Sequence, residues 1–290
     1  MVQYPRLLAS PLTPGTLYIV STPIGNLEDI TYRAVRILAN CDLIAAEDTR
    51  HAAKLLTHYG ITTKRLSLHR HNEHQRIPAL LKRLNNEETI AVISDAGTPT
   101  ISDPGQRLTR AALEHGLRIE AIPGASAVLS SLVVSGATDT NGFTFVGFPP
   151  SRSNNRKPFF KSLVSEPRTI VFFEAPHRLR ASLSDLSLYL GDRPITVCHE
   201  MTKRHEYLVK GPIISVLEQM PEVKGEYTIV IDAPDPVSKT VSPPKSDQVI
   251  LDFGLLTKYG ATRRQAIREL AKKYRQRSRD IYRLVEELKD

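Results

Sequence analysis

Short apolar stretches rich in β-branched residues alternate with longer segments of helical periodicity between Thr16 and Pro123. In the longer segments the apolar positions recur every three or four residues, as at Ala34, Ile37 and Leu38. This alternation predicts a parallel sheet, because parallel strands need long crossover connections. The predicted strands are Leu17–Ser21, Leu43–Ala46, Ile90–Ser94 and Arg118–Ile122.

The pattern changes after Gly124. An almost uncharged run of small and apolar residues as far as Asp139 predicts a buried helix. Strands with fewer intervening helices follow it, which predicts a second α/β domain on a mixed sheet. These strands are Phe143–Phe148, Thr169–Phe173, Ile195–His199, Tyr207–Lys210 and Tyr227–Ile231. We therefore predict an N-terminal extension over residues 1–14, a first domain over 15–125 and a second over 126–233.

The last part of the chain predicts a small helical module over residues 246–290. A linker with four prolines, residues 234–245, precedes it. Helices are expected to begin at Ser246, at a capping box of Thr262 and Gln265, and at Ser278. The middle helix is basic, which favours a helix-turn-helix-like RNA-binding module over a bundle for packing or dimerisation. Its basic residues are Arg263, Arg264, Arg268, Lys272 and Lys273.

Most of the net positive charge of the chain lies in this last segment. The chain has 39 Lys and Arg against 31 Asp and Glu, a net charge of +8, and residues 245–290 carry 12 basic and 7 acidic side chains. A polyanion such as nucleic acid would gain from this basic segment by counterion release, although a solvated helix face would have the same composition. Two distant cysteines, Cys41 and Cys198, predict reduced structural thiols.

Several classes are excluded or disfavoured by what the sequence lacks. No apolar run reaches the ~20 residues of a membrane span, and the start of the chain does not resemble a secretory signal, so we expect a cytoplasmic protein. Neither a G-x-G-x-x-G turn after a strand nor a P-loop is present. His69, His71 and His74 do not share one helix face, so we predict no metal.

Three turns rich in glycine and proline each follow a predicted strand of the first domain. They are STPIGN from Ser21, SDAGTPTISDPG from Ser94 and IPGASA from Ile122. Because the carboxyl ends of parallel strands meet at one edge, these turns predict a small-molecule cleft, with simple tight turns as the alternative.

The motifs STPIGNLEDIT, AAEDTR, SDAGTPTISDPG, PGASA, FVGFPP, FFEAPHRL and HEMTKRHE resemble, in this order, the ribosomal RNA small subunit methyltransferase I family. That family belongs to the tetrapyrrole methylase superfamily of S-adenosylmethionine-dependent enzymes. The resemblance covers roughly Gly15 to Ala233, and the helical tail is similar to the family's C-terminal domain. One departure is Phe148-Pro149-Pro150, where Phe-Leu-Pro is expected.

The resemblance implies two α/β domains of the tetrapyrrole methylase type with the cofactor in the cleft between them, plus the small three-helix module. It also implies a homodimer and 2′-O-methylation of a decoding-centre cytidine in 16S rRNA, with the assembled 30S subunit as substrate. The S-adenosylmethionine contacts would fall on Pro23, Ile24, Gly25, Asp95, Ala96, Gly97, Ile101, Ser126, Ala127, Phe173, Glu174 and Ala175.

A basic segment with two phenylalanines, Ser151 to Lys161, predicts a mobile loop that binds phosphates and stacks a base. The alternative is a solvated loop whose phenylalanines lie in the core. Its candidate RNA-binding residues are Arg152, Arg156, Lys157 and Lys161.

The proton acceptor is less well defined by the sequence. We place Glu200 and Lys203 first, then Glu174 and His177, while a structural ion pair explains Glu200 and Lys203 equally well. Residues 47–50, EDTR, would bind substrate or merely hold their loop.

Two other functions fit the same motifs. One is a methylase of the superfamily acting on a tetrapyrrole or a protein side chain, which would not need the basic tail. The other is an RNA-binding protein that senses S-adenosylmethionine without catalysis.

Overall fold

The computed structural model of the chain describes residues 11–137, 142–191, 193–220, 224–234, 246–258, 261–274 and 278–286. It has two compact units, Met1–Ala233 and Pro234–Asp290. The predicted domain boundary between residues 125 and 126 lies inside the first unit and stays a prediction. Most of the predicted N-terminal extension and linker lies outside the described residues.

The first sheet is fully parallel, with the strand order β3-β2-β4-β1-β5. Its strands are β1 Thr16–Val20, β2 Leu43–Ala46, β3 Arg65–Ser67, β4 Ile90–Ile93 and β5 Arg118–Ile122. The connecting helices are α1 Tyr32–Asn40, α2 Thr49–His58, α3 Glu73–Asn85 and α4 Gln106–Glu114.

Helices cover both faces of this sheet, so alternate residues of one strand enter different cores. Tyr18 and Val20 pack into one apolar cluster, and Leu17 and Ile19 pack into the other. Strands buried on both faces have continuous apolar sequences, which is why β1, β2 and β4 could be predicted. The edge strand β5 was also predicted, although only Ile122 in it is buried. The missed strand, β3, has only three residues and lies at the sheet edge, where the apolar signal is weakest.

The second sheet is mixed, with the order β6-β7-β10-β8-β9. Only the pair β6 and β7 is parallel. The strands are β6 Phe143–Phe145, β7 Thr169–Glu174, β8 Pro194–His199, β9 Tyr207–Pro212 and β10 Tyr227–Ile231. The helices of this half are α5 Ala127–Ser135, α6 Ser153–Ser162, α7 Pro176–Leu190 and α8 Ile213–Gln219.

Helix α5 is the predicted small-residue helix, and it packs against β7, β8 and β10. Ser126 caps it by accepting a hydrogen bond from the Leu129 amide, and Gly136 ends it with a left-handed backbone. The opposite face of the sheet packs against α6, α7 and α8 around Phe160 and Phe172. The two-sheet α/β fold predicted from the sequence is confirmed.

The prediction of a mobile loop over Ser151 to Lys161 was wrong, because residues 153–162 form α6. Arg156 and Phe160 lie four residues apart, so the helix turns both inward. Phe160 is fully buried and Phe159 packs against the same core. The phenylalanines therefore belong to the core, as the alternative interpretation held.

The second unit consists of α9 Ser246–Lys258, α10 Arg263–Lys273 and α11 Ser278–Glu286, as the sequence predicted. Its own core includes Val249, Leu270 and Ile281. The capping box is present, since the Thr262 amide donates to Gln265 Oε1 at 2.9 Å and the Gln265 amide donates to Thr262 Oγ1 at 3.4 Å. Among the described residues, no helix has the length and apolar character to cross a membrane.

Candidate functional site

The three turns of the first sheet are joined to one another at its carboxyl edge. Thr22 and Gly97 form an antiparallel bridge with backbone hydrogen bonds of 2.8 and 3.1 Å. The hydroxyls of Ser21 and Thr98 lie 3.0 Å apart, and that of Thr98 donates to the Ala125 carbonyl at 3.4 Å. The parallel topology brings the turns to one edge, and these bonds hold them as one surface.

This surface forms one wall of a cavity of about 880 Å³, and the second sheet supplies the other wall. The size lies within the range of small-molecule sites, about 300–1,000 Å³. Ten of the twelve residues predicted to contact the cofactor line it. They are Ile24, Asp95, Ala96, Gly97, Ile101, Ser126, Ala127, Phe173, Glu174 and Ala175.

The other two predicted contacts, Pro23 and Gly25, are not among the residues that line the cavity. Pro23 is buried, and Gly25 lies against the turn at residues 201–203. A Cβ atom on Gly25 would stand 2.4 Å from Lys203 Cγ and 2.9 Å from the Met201 carbonyl oxygen. This glycine is therefore required by the close approach of two backbones, one from each half of the unit.

Three carboxylates, Glu47, Asp95 and Asp103, line one corner of the cavity, which we call the acidic corner. Burial and the nearby Glu47 carboxylate raise the pKa of Asp103 to about 6. Burial, with repulsion from Asp95, also raises the pKa of Glu47. Asp95 Oδ1 accepts the Asp48 amide at 3.1 Å, which joins the end of β2 to the loop after β4.

The loop between β3 and α3 also reaches the acidic corner. The Arg70 guanidinium donates to the Ser102 carbonyl oxygen. Its positive charge partly offsets the rise in the pKa of both Glu47 and Asp103. Its neighbours His69 and His71 contact each other edge to face, with ring centroids 5.9 Å apart. Among the residues that the structure describes, no three His, Cys, Asp or Glu side chains group as metal ligands would.

Two turns at the cavity have strained backbones. Thr100 and Ser102, on either side of Ile101, have φ of 73° and 68°, and Glu200 and Thr202, on either side of Met201, have φ of 49° and 65°. Ile101 and Met201 both line the cavity. Left-handed backbone is rare for residues other than glycine and is found where a site demands a specific loop shape.

Glu174 lies at the end of β7, with its side chain fully buried. Its Oε1 accepts from the Ala175 amide at 2.8 Å and pairs with Arg178 Nη2 at 2.6 Å. Its Oε2 has no protein partner, and the residue lines the cavity. A buried acceptor left without a donor is costly, so Oε2 is suited to receive a hydrogen bond from a bound molecule.

The first two candidate proton acceptors bind each other. Lys203 Nζ lies 2.9 Å from Glu200 Oε1 and 2.9 Å from Glu226 Oε2. Burial alone would lower the pKa of Lys203, but these carboxylates raise it above its usual value, so the ammonium keeps its proton. Neither residue is among those lining the cavity, and His177 is exposed and also outside it. This geometry favours the structural ion pair, and the catalytic roles stay predictions.

The candidate RNA-binding residues have different environments. Arg156 is 4% exposed and donates to Asp185 Oδ2 through Nε at 2.9 Å and Nη2 at 2.6 Å, so it is not available to RNA. Arg152 and Lys161 are exposed, and Lys157 is partly exposed. In the second unit the exposed candidates are Arg263, Arg264 and Arg268, while the side chains of Lys272 and Lys273 lie outside the described part of the structure.

The acidic corner was missed as a group by sequence analysis. Glu47 directly follows β2, and the position after a parallel strand is a signal that could have found it. Asp103 stands nine residues after Ser94 within one loop, and no local pattern shows that this loop turns back toward the cavity.

Comparison with known proteins agrees with the fold and the motifs. The family model described as Tetrapyrrole (Corrin/Porphyrin) Methylases matches residues 16–216. A protein of Synechocystis sp. named Ribosomal RNA small subunit methyltransferase I is 45% identical over 94% of this chain and 98% of its own length. Its namesake in Halalkalibacterium halodurans is 38% identical, over 92% and 93%.

Solved structures with low sequence identity share the fold. Diphthine synthase superposes with a TM-score of 0.60 at 14% identity, covering 75% of this chain and 90% of its own. Uroporphyrin-III C-methyltransferase of Thermus thermophilus, solved with S-adenosyl homocysteine, has a TM-score of 0.55 at 20% identity, covering 75% and 97%. The tetrapyrrole methylase model matches residues 16–216, and the two named relatives are 45% and 38% identical over 94% and 92% of this chain. This chain therefore belongs to the tetrapyrrole methylases and, within them, to the ribosomal RNA small subunit methyltransferase I family.

Proposed function

We propose that this protein transfers the methyl group of S-adenosylmethionine to the ribose 2′-hydroxyl of a decoding-centre cytidine in 16S rRNA, on the assembled 30S subunit. The observation that carries the proposal is the cavity, whose wall contains ten of the twelve cofactor contacts that the family resemblance implies. A ribosomal substrate would place the reaction in the cytoplasm.

The cavity has the chemistry that this cofactor needs. Apolar side chains such as Ile24, Phe145 and Phe173 line it and suit the adenine ring. The unpartnered Glu174 Oε2 is an acceptor for a nucleoside hydroxyl or amine. Asp95 and Glu47 offer negative charge to the amino group and sulfonium centre. We therefore assign cofactor binding to these residues and to the small-residue loops around Gly97 and Ser126.

The bound cofactor supplies a methyl group already activated by the sulfonium charge, so the protein needs to align the hydroxyl and exclude water. It also needs a group that accepts the hydroxyl proton. We assign this role to Asp103, which lies in the cavity wall. Its pKa of about 6 means that the carboxyl is mostly ionised at neutral pH. A carboxylate with a raised pKa is a stronger base than an exposed one.

RNA as the substrate is supported by exposed basic side chains in both units. Arg152, at the N-cap of α6, and Lys161, on α6, are exposed, and the second unit exposes three arginines of α10. A methylase acting on a small tetrapyrrole or on one protein side chain would not need a basic helical module. A protein that only senses the cofactor would need no proton acceptor in the cavity.

Methyl transfer from labelled S-adenosylmethionine tests the proposal directly. We expect label in 30S subunits that lack the mark, with 2′-O-methylcytidine as the product by mass spectrometry. Free 16S rRNA serves as the comparison and should accept less label if the assembled subunit is the substrate. Cofactor binding without label in either RNA would contradict the proposed substrate and direct the search to tetrapyrroles and proteins.

The homodimer implied by the family resemblance is also part of our proposal. Helix α5 exposes Leu129, Val133 and Val134, with Val133 71% exposed, although the opposite side of this helix is buried. An apolar helix face in water favours association with a second apolar surface. The exposed Leu129 side chain also lines the cavity, so a second copy of the chain packed on this face of α5 would lie next to the cavity.

Val133→Lys is expected to convert the dimer to a monomer, because a charged ammonium would be desolvated in the interface. Sedimentation equilibrium should show twice the chain mass of 32.4 kDa for the wild type and the single mass for the variant. Leu188→Lys is the matched control, since Leu188 is 67% exposed on α7. A monomeric wild type, or a variant that stays dimeric, would contradict this interface.

A further inference from the structure

The second unit has an open groove of about 570 Å³ between α10 and α11. Four arginines line it together with Ser278, Ile267 and Tyr282. The arginines are Arg263, Arg264, Arg268 and Arg279. No carboxylate is among these described lining residues, so the lining of the groove is basic, although Arg263 also pairs with Glu286.

Helical spacing explains why these side chains gather. On α10, Arg264 and Arg268 lie four residues apart, and on α11, Ser278 and Tyr282 do the same. Each pair therefore points to the same side of its helix. Apolar residues such as Leu270 and Ile281 pack the other sides into the core of the unit. The packing of α10 on α11 thus turns two basic helix faces into one groove.

Two of the arginines stand where their own helix does not stabilise them. Arg263 and Arg264 lie in the first turn of α10, which contains no acidic residue. A positive side chain near a helix N-terminus opposes the helix dipole. A bound anion would stabilise positive side chains in this position.

Tyr282 adds a second chemical preference to the groove. Its ring is 49% exposed, and the Arg263 guanidinium lies 5.3 Å from the ring centroid while also pairing with Glu286. Tyrosine rings and guanidinium planes are the surfaces on which unpaired bases stack. The groove therefore offers phosphate contacts and a stacking surface at the same place.

We infer that the groove between α10 and α11 binds a single-stranded RNA segment, with Arg264 and Arg268 on the phosphodiester backbone and one unpaired base stacked on Tyr282. The exposed Tyr282 ring can stack only on a base that is not already stacked in a duplex, so the groove favours unpaired RNA. The inference rests on the proposed function for the identity of the polyanion, and it adds the contact site and the strand state.

The test measures fluorescence anisotropy of a fluorescein-labelled oligouridine of 12 nucleotides with the full-length protein at several KCl concentrations. Arg264→Gln and Arg268→Gln should each weaken binding about three- to tenfold and reduce the salt slope by about 0.7 for each lost phosphate contact. Arg283→Gln is the matched control, because Arg283 is exposed on α11 but does not line the groove. Tyr282→Leu should weaken binding about tenfold, and Tyr282→Phe, which keeps the ring, less than twofold.

Three results would overturn the inference. They are no measurable oligouridine binding, groove variants that match Arg283→Gln, and competition by a 12-base-pair RNA duplex or by polyglutamate as strong as that by unlabelled oligouridine. Methyl transfer to 30S subunits separates this inference from the proposed function. Groove variants should raise KM with kcat unchanged. An unchanged KM would contradict RNA binding in the groove but not the proposed function. Oligouridine binding without any methyl transfer would contradict the proposed function but not RNA binding in the groove.

Discussion

Replacing Asp185 with alanine is expected to lower the free energy of unfolding by about 3–5 kcal/mol, because it leaves a buried guanidinium without its partner. Asp185 Oδ2 accepts three hydrogen bonds, two from Arg156 and one from the Ser153 hydroxyl. The Arg156 side chain is 4% exposed, so water cannot replace the lost carboxylate. Urea unfolding followed by circular dichroism measures the change.

An exposed ion pair provides the control for this prediction. Arg118 and Glu120 lie 3.7 Å apart with the arginine 61% exposed, so Glu120→Ala should cost less than about 1 kcal/mol. Equal effects of the two substitutions would contradict the structural role of Arg156 and return it to the candidate RNA-binding residues.

The pH dependence of the same variant has a definite sign. Burial alone would raise the pKa of Asp185, but the Ser153 hydroxyl and the Arg156 guanidinium bring it below its usual value. A carboxyl with a lowered pKa stabilises the fold above its unfolded-state pKa, and this stabilisation is lost as the pH falls. The difference between wild type and Asp185→Ala should therefore shrink in acid.

Replacing Asp103 with asparagine is expected to reduce kcat for methyl transfer by about 10²-fold or more, because the amide cannot accept the hydroxyl proton. Cofactor affinity measured by calorimetry should change little, since the size of the side chain is kept. In the wild type, activity should fall as the pH drops below about 6, where the Asp103 carboxylate becomes protonated. The variant should lack this acid limb.

The free energy of unfolding of Asp103→Asn should rise, although its activity falls. Burial and the neighbouring Glu47 raise the pKa of Asp103 from 3.8 to about 6, so the carboxyl favours the unfolded state as the pH rises through this interval. Asp103→Asn should therefore raise the free energy of unfolding at pH 7 by about 1–2 kcal/mol. A less active and more stable variant would identify a carboxylate kept for function.

Asp48→Asn is the matched control for the loss of one negative charge. Asp48 follows Glu47 but does not line the cavity, and its carboxylate pairs with the exposed Arg50. Its activity should stay within a few-fold of the wild type. A large loss in Asp48→Asn, or full activity in Asp103→Asn, would contradict the assignment of the proton to Asp103.

Much of the fold could be predicted because the deciding signals are local. The strands β1, β2 and β4 of the first sheet are buried on both faces, so each one is a short apolar run between turn residues. The middle helix of the second unit begins at the capping box of Thr262 and Gln265, which is also a local feature. Residues of the three glycine- and proline-rich turns line the cavity, as predicted, since the end of a parallel strand fixes the edge at which its turn emerges.

Where distant contacts decide the outcome, the sequence misled in one segment and left two interpretations open in another. The segment of Ser151 to Lys161 was predicted as a loop, but Arg156 binds Asp185, 29 residues away, and Phe160 packs into the core. Glu200 and Lys203 have the side chains of catalytic groups, and the structure shows them as an ion pair that also includes Glu226. Neither Glu200 nor Lys203 lines the cavity, so a structural role is favoured and the catalytic roles stay predictions. No local pattern reports such pairings.

The sequence by itself determined the central strands of the first sheet, the edge at which its three glycine- and proline-rich turns emerge and the basic character of the last unit, because these follow from periodicity, parallel topology and composition. Only the tertiary structure decided which charged side chains meet. Glu47, Asp95 and Asp103 come from two loops and share one corner, and four arginines from two helices share one groove. Their chemistry depends on distances of a few ångströms between residues far apart in the chain, which packing alone sets.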